Sequence, residues 1–178
     1  MIPIGRPRSG RLLLVGVVLA IAGCANPPPV PSGTDRQVTV VEEEVASRAK
    51  RLGPDDPEVA DLLVVLAGLR FNNGNGAEAE RLLRHALSIY EANRGPEHAG
   101  TGIVLNDLGW LYYTQGRYAE AEPLFKRSVE IYDAPDRAHD ARTAKVLENY
   151  ATLLRAMNRA EEAERFEARA RSIRSDRP

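Results

Sequence analysis

Shifting the 178-residue chain by 42 positions superimposes Leu63 on Leu105 and Leu147, Leu69 on Leu111 and Leu153, and Ala79 on Ala121 and Ala163. The same shift aligns Glu80 with Glu122 and Glu164, and Ile89 with Ile131 and Ile173, without a gap. A period of this length constrains the fold more than any other feature. Each unit is one supersecondary element that cannot bury its apolar face alone, so neighbouring units must stack into a continuous core. Three units result, at residues 53–94, 95–136 and 137–178.

Inside each unit the apolar positions recur at three and four residues, the spacing of two amphipathic helices, and a polar break separates them. Asn72-Asn73-Gly74, Thr114-Gln115-Gly116 and Ala156-Met157-Asn158 fill that break. Gly and Asn tolerate the left-handed backbone that ends a helix, so Asn158 can stand where Gly116 does. The pattern predicts helices at 57–72, 77–93, 99–114, 118–132, 140–156 and 160–174. The fold class is therefore all-α.

The order of small and large residues resembles tetratricopeptide repeats, in the 42-residue form found in kinesin light chains. The middle unit carries the resemblance best, with Leu105, Leu108, Gly109, Tyr112, Ala121, Phe125 and Ser128 on the signature positions. Tyr118-Ala119-Glu120-Ala121-Glu122-Pro123-Leu124 also resembles the kinesin-light-chain form. Small residues at Gly109 and Ala121 should let the helices of a hairpin approach, with Leu108 and Phe125 filling the seam. The resemblance implies a solenoid of antiparallel helix pairs.

Two departures stand out. Arg70 occupies the position of Tyr112, and Glu167 falls where Phe125 and Leu83 are bulky, as suits a last helix facing water. Ahead of the first unit, residues 36–52 align with a second helix, Val41 on Leu83 and Val45 on Leu87, and read as a capping half-repeat.

Residues 1–23 have the layout of a secretory signal: Arg6, Arg8 and Arg11, an apolar run from Leu12 to Ile21, then Ala22 and Gly23. Leu19-Ala20-Ile21-Ala22-Gly23-Cys24 resembles the lipobox of bacterial lipoproteins, which implies lipidation of Cys24, the only cysteine, after removal of the leader. Several acyl chains on one residue exceed the two-signal threshold for stable anchoring. Ala25 follows where inner-membrane lipoproteins of enterobacteria usually carry Asp, so the resemblance favours the periplasmic side of the outer membrane in a Gram-negative host. The rest of residues 24–35 reads as a proline-rich, extended tether.

Composition narrows the function. With 24 basic and 25 acidic residues there is no bulk excess of positive charge for nucleic-acid binding. A single cysteine excludes a disulfide framework and a Cys-based zinc site. Gly74-Asn75-Gly76-Ala77-Glu78-Ala79 matches a dinucleotide-binding pattern, but a helix rather than a strand precedes it, and the period accounts for Gly74 and Ala79. His98 and His139 lie in successive inter-repeat connections near Glu97 and Asp140 and read as solvated loop histidines rather than a surface metal contact, His85 reads as a partly exposed packing residue, and the charge runs Glu42-Glu43-Glu44 and Arg159 to Arg174 read as solvated faces with pairs such as Glu161–Arg165 and Glu167–Arg171. No catalytic constellation, metal set or cofactor cradle emerges, so the chain reads as a non-enzyme without cofactors.

The first helix of each unit lines the concave face in the family, which implies a groove for a protein or peptide partner. The positions that carry over are Val64, Gly68 and Phe71; Asn106, Asp107, Trp110, Tyr113 and Thr114; and Lys145, Glu148, Asn149, Thr152 and Arg155. Asn106 and Asn149 would fix peptide backbone, Trp110 and Tyr113 would be apolar anchors, and Arg155 would supply one positive charge to an acidic group. Trp110 packing between repeats is the structural alternative. The expected role is a lipid-anchored scaffold or adaptor in the cell envelope, the alternative a pilotin-like or oligomerising assembly factor.

Overall fold

The computed structural model describes residues 33–137 and 140–175, and the leader, Cys24, most of the tether and His139 lie outside them. Among the described residues seven helices follow one another: α1 Gly33–Leu52, α2 Pro57–Asn72, α3 Gly76–Arg94, α4 Ala99–Thr114, α5 Tyr118–Tyr132, α6 Ala141–Ala156 and α7 Ala160–Ser175. The six repeat helices lie within one residue of the expected bounds. The capping helix starts at Gly33, inside the segment read as tether. Among the described residues no helix is long and apolar enough to cross a membrane.

The period fixes the helix starts as well as the core. Asp56, His98 and Asp140 are 42 residues apart, and each caps the first helix of its unit. The side chains accept from the N–H of Glu58 (2.8 Å), Gly100 (3.0 Å) and Arg142 (3.1 Å), satisfying donors that a helix start leaves open. His98 thus does the work of an aspartate through Nδ1. At the turns inside each unit the backbone is left-handed at Gly74, Gly116 and Asn158, with φ of 79°, 75° and 61°.

Helices pair as α2 with α3, α4 with α5 and α6 with α7, and the pairs stack through α3 on α4 and α5 on α6, with α1 covering α2. Ala79, Ala121 and Ala163 are fully buried at the three seams, and Phe125 fills the middle one. A Cβ built on Gly109 would lie 3.1 Å from the Phe125 ring, so a glycine lets that ring seat against α4. Gly100 and Gly102 do the same for Tyr90 and Tyr132, where a Cβ would come within 2.5 and 2.8 Å of ring carbons. Helix α5 runs through Pro123, which is exposed, as is Ala119, whose carbonyl loses its helical donor.

In the third seam the bulky position is taken by Glu167, and Phe166 packs beside it against Tyr150, ring centroids 4.9 Å apart. Glu167 does not simply face water. It is half-buried and accepts from Arg155 at 2.6 and 2.9 Å, with Arg171 at 4.0 Å. The Glu161–Arg165 pair expected from i,i+4 spacing is not formed; Arg159 instead takes Glu162 on its own helix and Glu122 on α5.

That link between repeats is itself periodic. Arg117 reaches Glu80 as Arg159 reaches Glu122, and Arg127 reaches Glu91 as Arg169 reaches Asp133. Arg70 turns back to Glu42 on α1, and Arg48 bridges to Glu58, so the capping helix is held to the first repeat by ion pairs as well as by Val38, which is buried.

Candidate partner-binding cleft

Positions 68, 110 and 152 are equivalent in the period and hold Gly, Trp and Thr. They lie on the first helices of the units, on faces turned away from the hairpin seams. Trp110 is half-buried: it packs against the core edge and leans on Tyr113, with ring centroids 5.1 Å apart, and Tyr113 in turn stacks on Tyr118 at 5.7 Å. On α2 the equivalent of that indole is Gly68, and a Cβ there would meet nothing within 4 Å.

The missing side chain leaves an open cleft of about 180 Å³ between α2 and α4. Its walls are Val64, Ala67, Gly68 and Phe71 from α2 and Trp110 and Leu111 from α4, with Ala79 and Leu83 at its base. Asp107 is the one charged residue that lines it. Burial pushes the Asp107 carboxyl up to about 6, against a smaller downward pull from its hydrogen bond with Asn106.

The two asparagines do something other than wait for peptide backbone. Asn106 and Asn149 are 9% and 6% exposed. The Asn149 Nδ2 donates to Asn106 Oδ1 at 2.9 Å, and the Asn106 Nδ2 donates to Asp107 Oδ1 at 3.2 Å. The amides form a relay that ties α6 to α4 and orients the carboxylate. Thr114 and Thr152 spend their hydroxyls on Leu111 O and Glu148 O of their own helices. Arg155, expected to offer a positive charge, is held by Glu167 through two hydrogen bonds.

A second depression of about 270 Å³ lies between α4 and α6, lined by Ile103, Asn106, Tyr132, Arg142, Lys145 and Val146. Arg142 was not singled out in the sequence, because the expected groove stripe on α6 began at Lys145. Among the described residues no group of three or more His, Cys, Asp or Glu is placed to hold a metal. His85 stands half-buried 3.8 Å from Asp55 and lines neither depression.

Residues 58–134 match the tetratricopeptide repeat family. The chain is similar to the crystal structure of BtubC (BKLC) from P. vanneervenii, with a TM-score of 0.73 and 22% identity over 80% of this chain. It spans 57% of the length of that protein. The fold is that of a tetratricopeptide-repeat solenoid. A Podosopora anserina putative kinesin light chain with nearly identical repeats also shares the fold, at a TM-score of 0.62 and 24% identity, covering 82% of this chain and 70% of that one. MamA MSR-1 C2 matches at 0.53 and 25% identity, covering 80% of this chain and 68% of the other. No curated protein sequence matches the chain. The tetratricopeptide-repeat fold is a scaffold for protein–protein interaction and is typically non-catalytic.

Proposed function

We propose that the chain is a lipid-anchored protein of the bacterial cell envelope whose tetratricopeptide-repeat domain holds a protein or peptide partner as a scaffold or adaptor. The observation that carries the binding role is the cleft between α2 and α4, an apolar gap with an aromatic wall and one carboxylate. Such a concave site, mostly apolar with few convergent polar groups, suits a side chain presented by a partner. The anchor rests on the sequence alone. The lipobox-like run ending at Cys24 supports acylation, and the proline-rich tether would hold the domain clear of the bilayer, on the periplasmic face of the outer membrane in a Gram-negative host.

Each half has its own test. Wild-type protein labels with palmitate and enters detergent, and Cys24→Ser does neither; equal labelling of the two removes the anchor. A photoreactive amino acid at Gly68, where space is open, gives an adduct with the partner in intact cells, and the same group at exposed Arg165 on α7 gives none. Adducts from Arg165 alone would place the partner on the other side of the stack.

A further inference from the structure

We propose that the cleft between α2 and α4 receives a basic side chain, lysine or arginine, of the partner polypeptide, its stem in the gap over Gly68 and its cationic head between Asp107 and Trp110. The proposal rests on the partner-binding reading and names the chemistry of that site.

Asp107 differs from the partly buried glutamates of the domain, and from Asp56, whose carboxylate caps α2. Glu80, Glu122, Glu148 and Glu167 each have an arginine within the chain. Asp107 has none. Among the described residues its one hydrogen bond comes from the Asn106 amide, and its second oxygen accepts from none of them. An ionised carboxylate drawn away from water without a cation is costly, and a fold keeps one where another molecule supplies the cation.

The walls define the rest of the ligand. Val64, Ala67, Gly68 and Phe71 offer carbon and suit an aliphatic stem, and Trp110 puts an aromatic side chain in the same lining, the residue type that best receives a cationic head. Lysine and arginine combine those parts, and either makes a charge-assisted bond to a carboxylate. Gly68 supports the cleft as the place for that stem. A glycine inside a helix costs about 1 kcal/mol relative to alanine. This one has no positive φ and no neighbour that a Cβ would strike, so neither backbone nor packing calls for it. What it does is keep the cleft open. An acidic partner group is disfavoured here by Asp107, and the cation once expected to receive it, Arg155, is occupied by Glu167.

The test is selection of a random heptapeptide phage library on the full-length protein in detergent micelles, with wild type, Asp107→Asn and Gly68→Leu in parallel. Wild type should enrich peptides with one lysine or arginine flanked by aliphatic residues. Asp107→Asn keeps the shape and the oxygen that Asn106 bonds, and should retain the aliphatic preference but lose the basic one. Gly68→Leu fills the gap and should lose both. The best wild-type peptide, made synthetically, should shift the fluorescence of Trp110, the chain's only tryptophan, and bind Asp107→Asn at least tenfold more weakly. Circular dichroism checks that each variant is folded. An acidic or uncharged consensus on wild type, or a basic consensus that survives Asp107→Asn, overturns the proposal. Non-basic peptides that Gly68→Leu abolishes would leave the groove standing and remove only the basic side chain; no selection on wild type, or peptides bound equally by Gly68→Leu, would remove the cleft as partner site altogether.

Discussion

Replacing Asp107 by asparagine should make the unliganded protein more stable at neutral pH. The folded carboxyl takes its proton near 6, against 3.8 for the unperturbed group. Between those values the folded state binds more protons than the unfolded one, so stability falls as pH rises through that window. Above pH 6 the full penalty is present, and below about 3.8 it is gone. A gap of about two units at 1.36 kcal/mol each sets an upper value of about 3 kcal/mol. Water reaches the carboxylate through the cleft mouth, which reduces the expectation to about 1–3 kcal/mol. Asparagine keeps the oxygen that accepts from Asn106, so the relay from Asn149 is preserved and the charge alone is removed. The assay is thermal unfolding by circular dichroism at pH 8 and at pH 4. Asp107→Asn should melt several degrees higher than wild type at pH 8, and the advantage should shrink towards zero at pH 4. A variant that is less stable at pH 8, or whose difference ignores pH, refutes the argument that Asp107 sits uncompensated in the cleft.

Three further outcomes follow from the packing. Gly100→Ala should destabilise by about 1–2 kcal/mol in chemical denaturation, although alanine favours helix, because the new Cβ would fall 2.5 Å from the Tyr90 ring and Tyr90 is tethered to Asp61 by its hydroxyl. Phe125→Ala should cost about 3–5 kcal/mol, since the ring is fully buried in the middle seam and no neighbour can fill its place. Arg155→Ala should leave the salt sensitivity of partner capture unchanged, because its charge is already taken by Glu167; a marked drop would mean that the partner competes for that guanidinium.

Almost all of the fold was legible in the sequence, because the features that build it recur every 42 residues. The seam alanines and the turn glycines repeat, and so do two features not singled out in advance, the caps at Asp56, His98 and Asp140 and the arginine bridges between repeats. The signal for the bridges was present, since Glu80 and Glu122 align; pairing sought only within a helix misses the reach of Arg159 to Glu122, 37 residues back, which it makes besides Glu162. The approach of Gly109 to Phe125 was readable from the signature positions, whereas that of Gly100 to Tyr90 was not, because Tyr90 belongs to the preceding unit and no local spacing encodes the contact.

The cleft was less legible for a related physical reason. A period identifies what every unit needs for stacking, while a binding site arises where one unit departs from its neighbours. At positions 64, 106 and 148 the residues are Val, Asn and Glu, and at 65, 107 and 149 they are Val, Asp and Asn. None of these is required by the hairpin seam, so their identities carry no stacking constraint, and their roles depend on contacts between units. Asn149 could be assigned to the groove from its place on α6, yet only the approach of α6 to α4 shows its amide spent on Asn106. Gly68 was visible as a groove position, but its significance needed the indole of Trp110 across the gap. Side chain present on one unit and absent on the next is what turns a repeating surface into a single cleft. Asp107, adjacent in sequence to an amide that points it there, gives that cleft its charge.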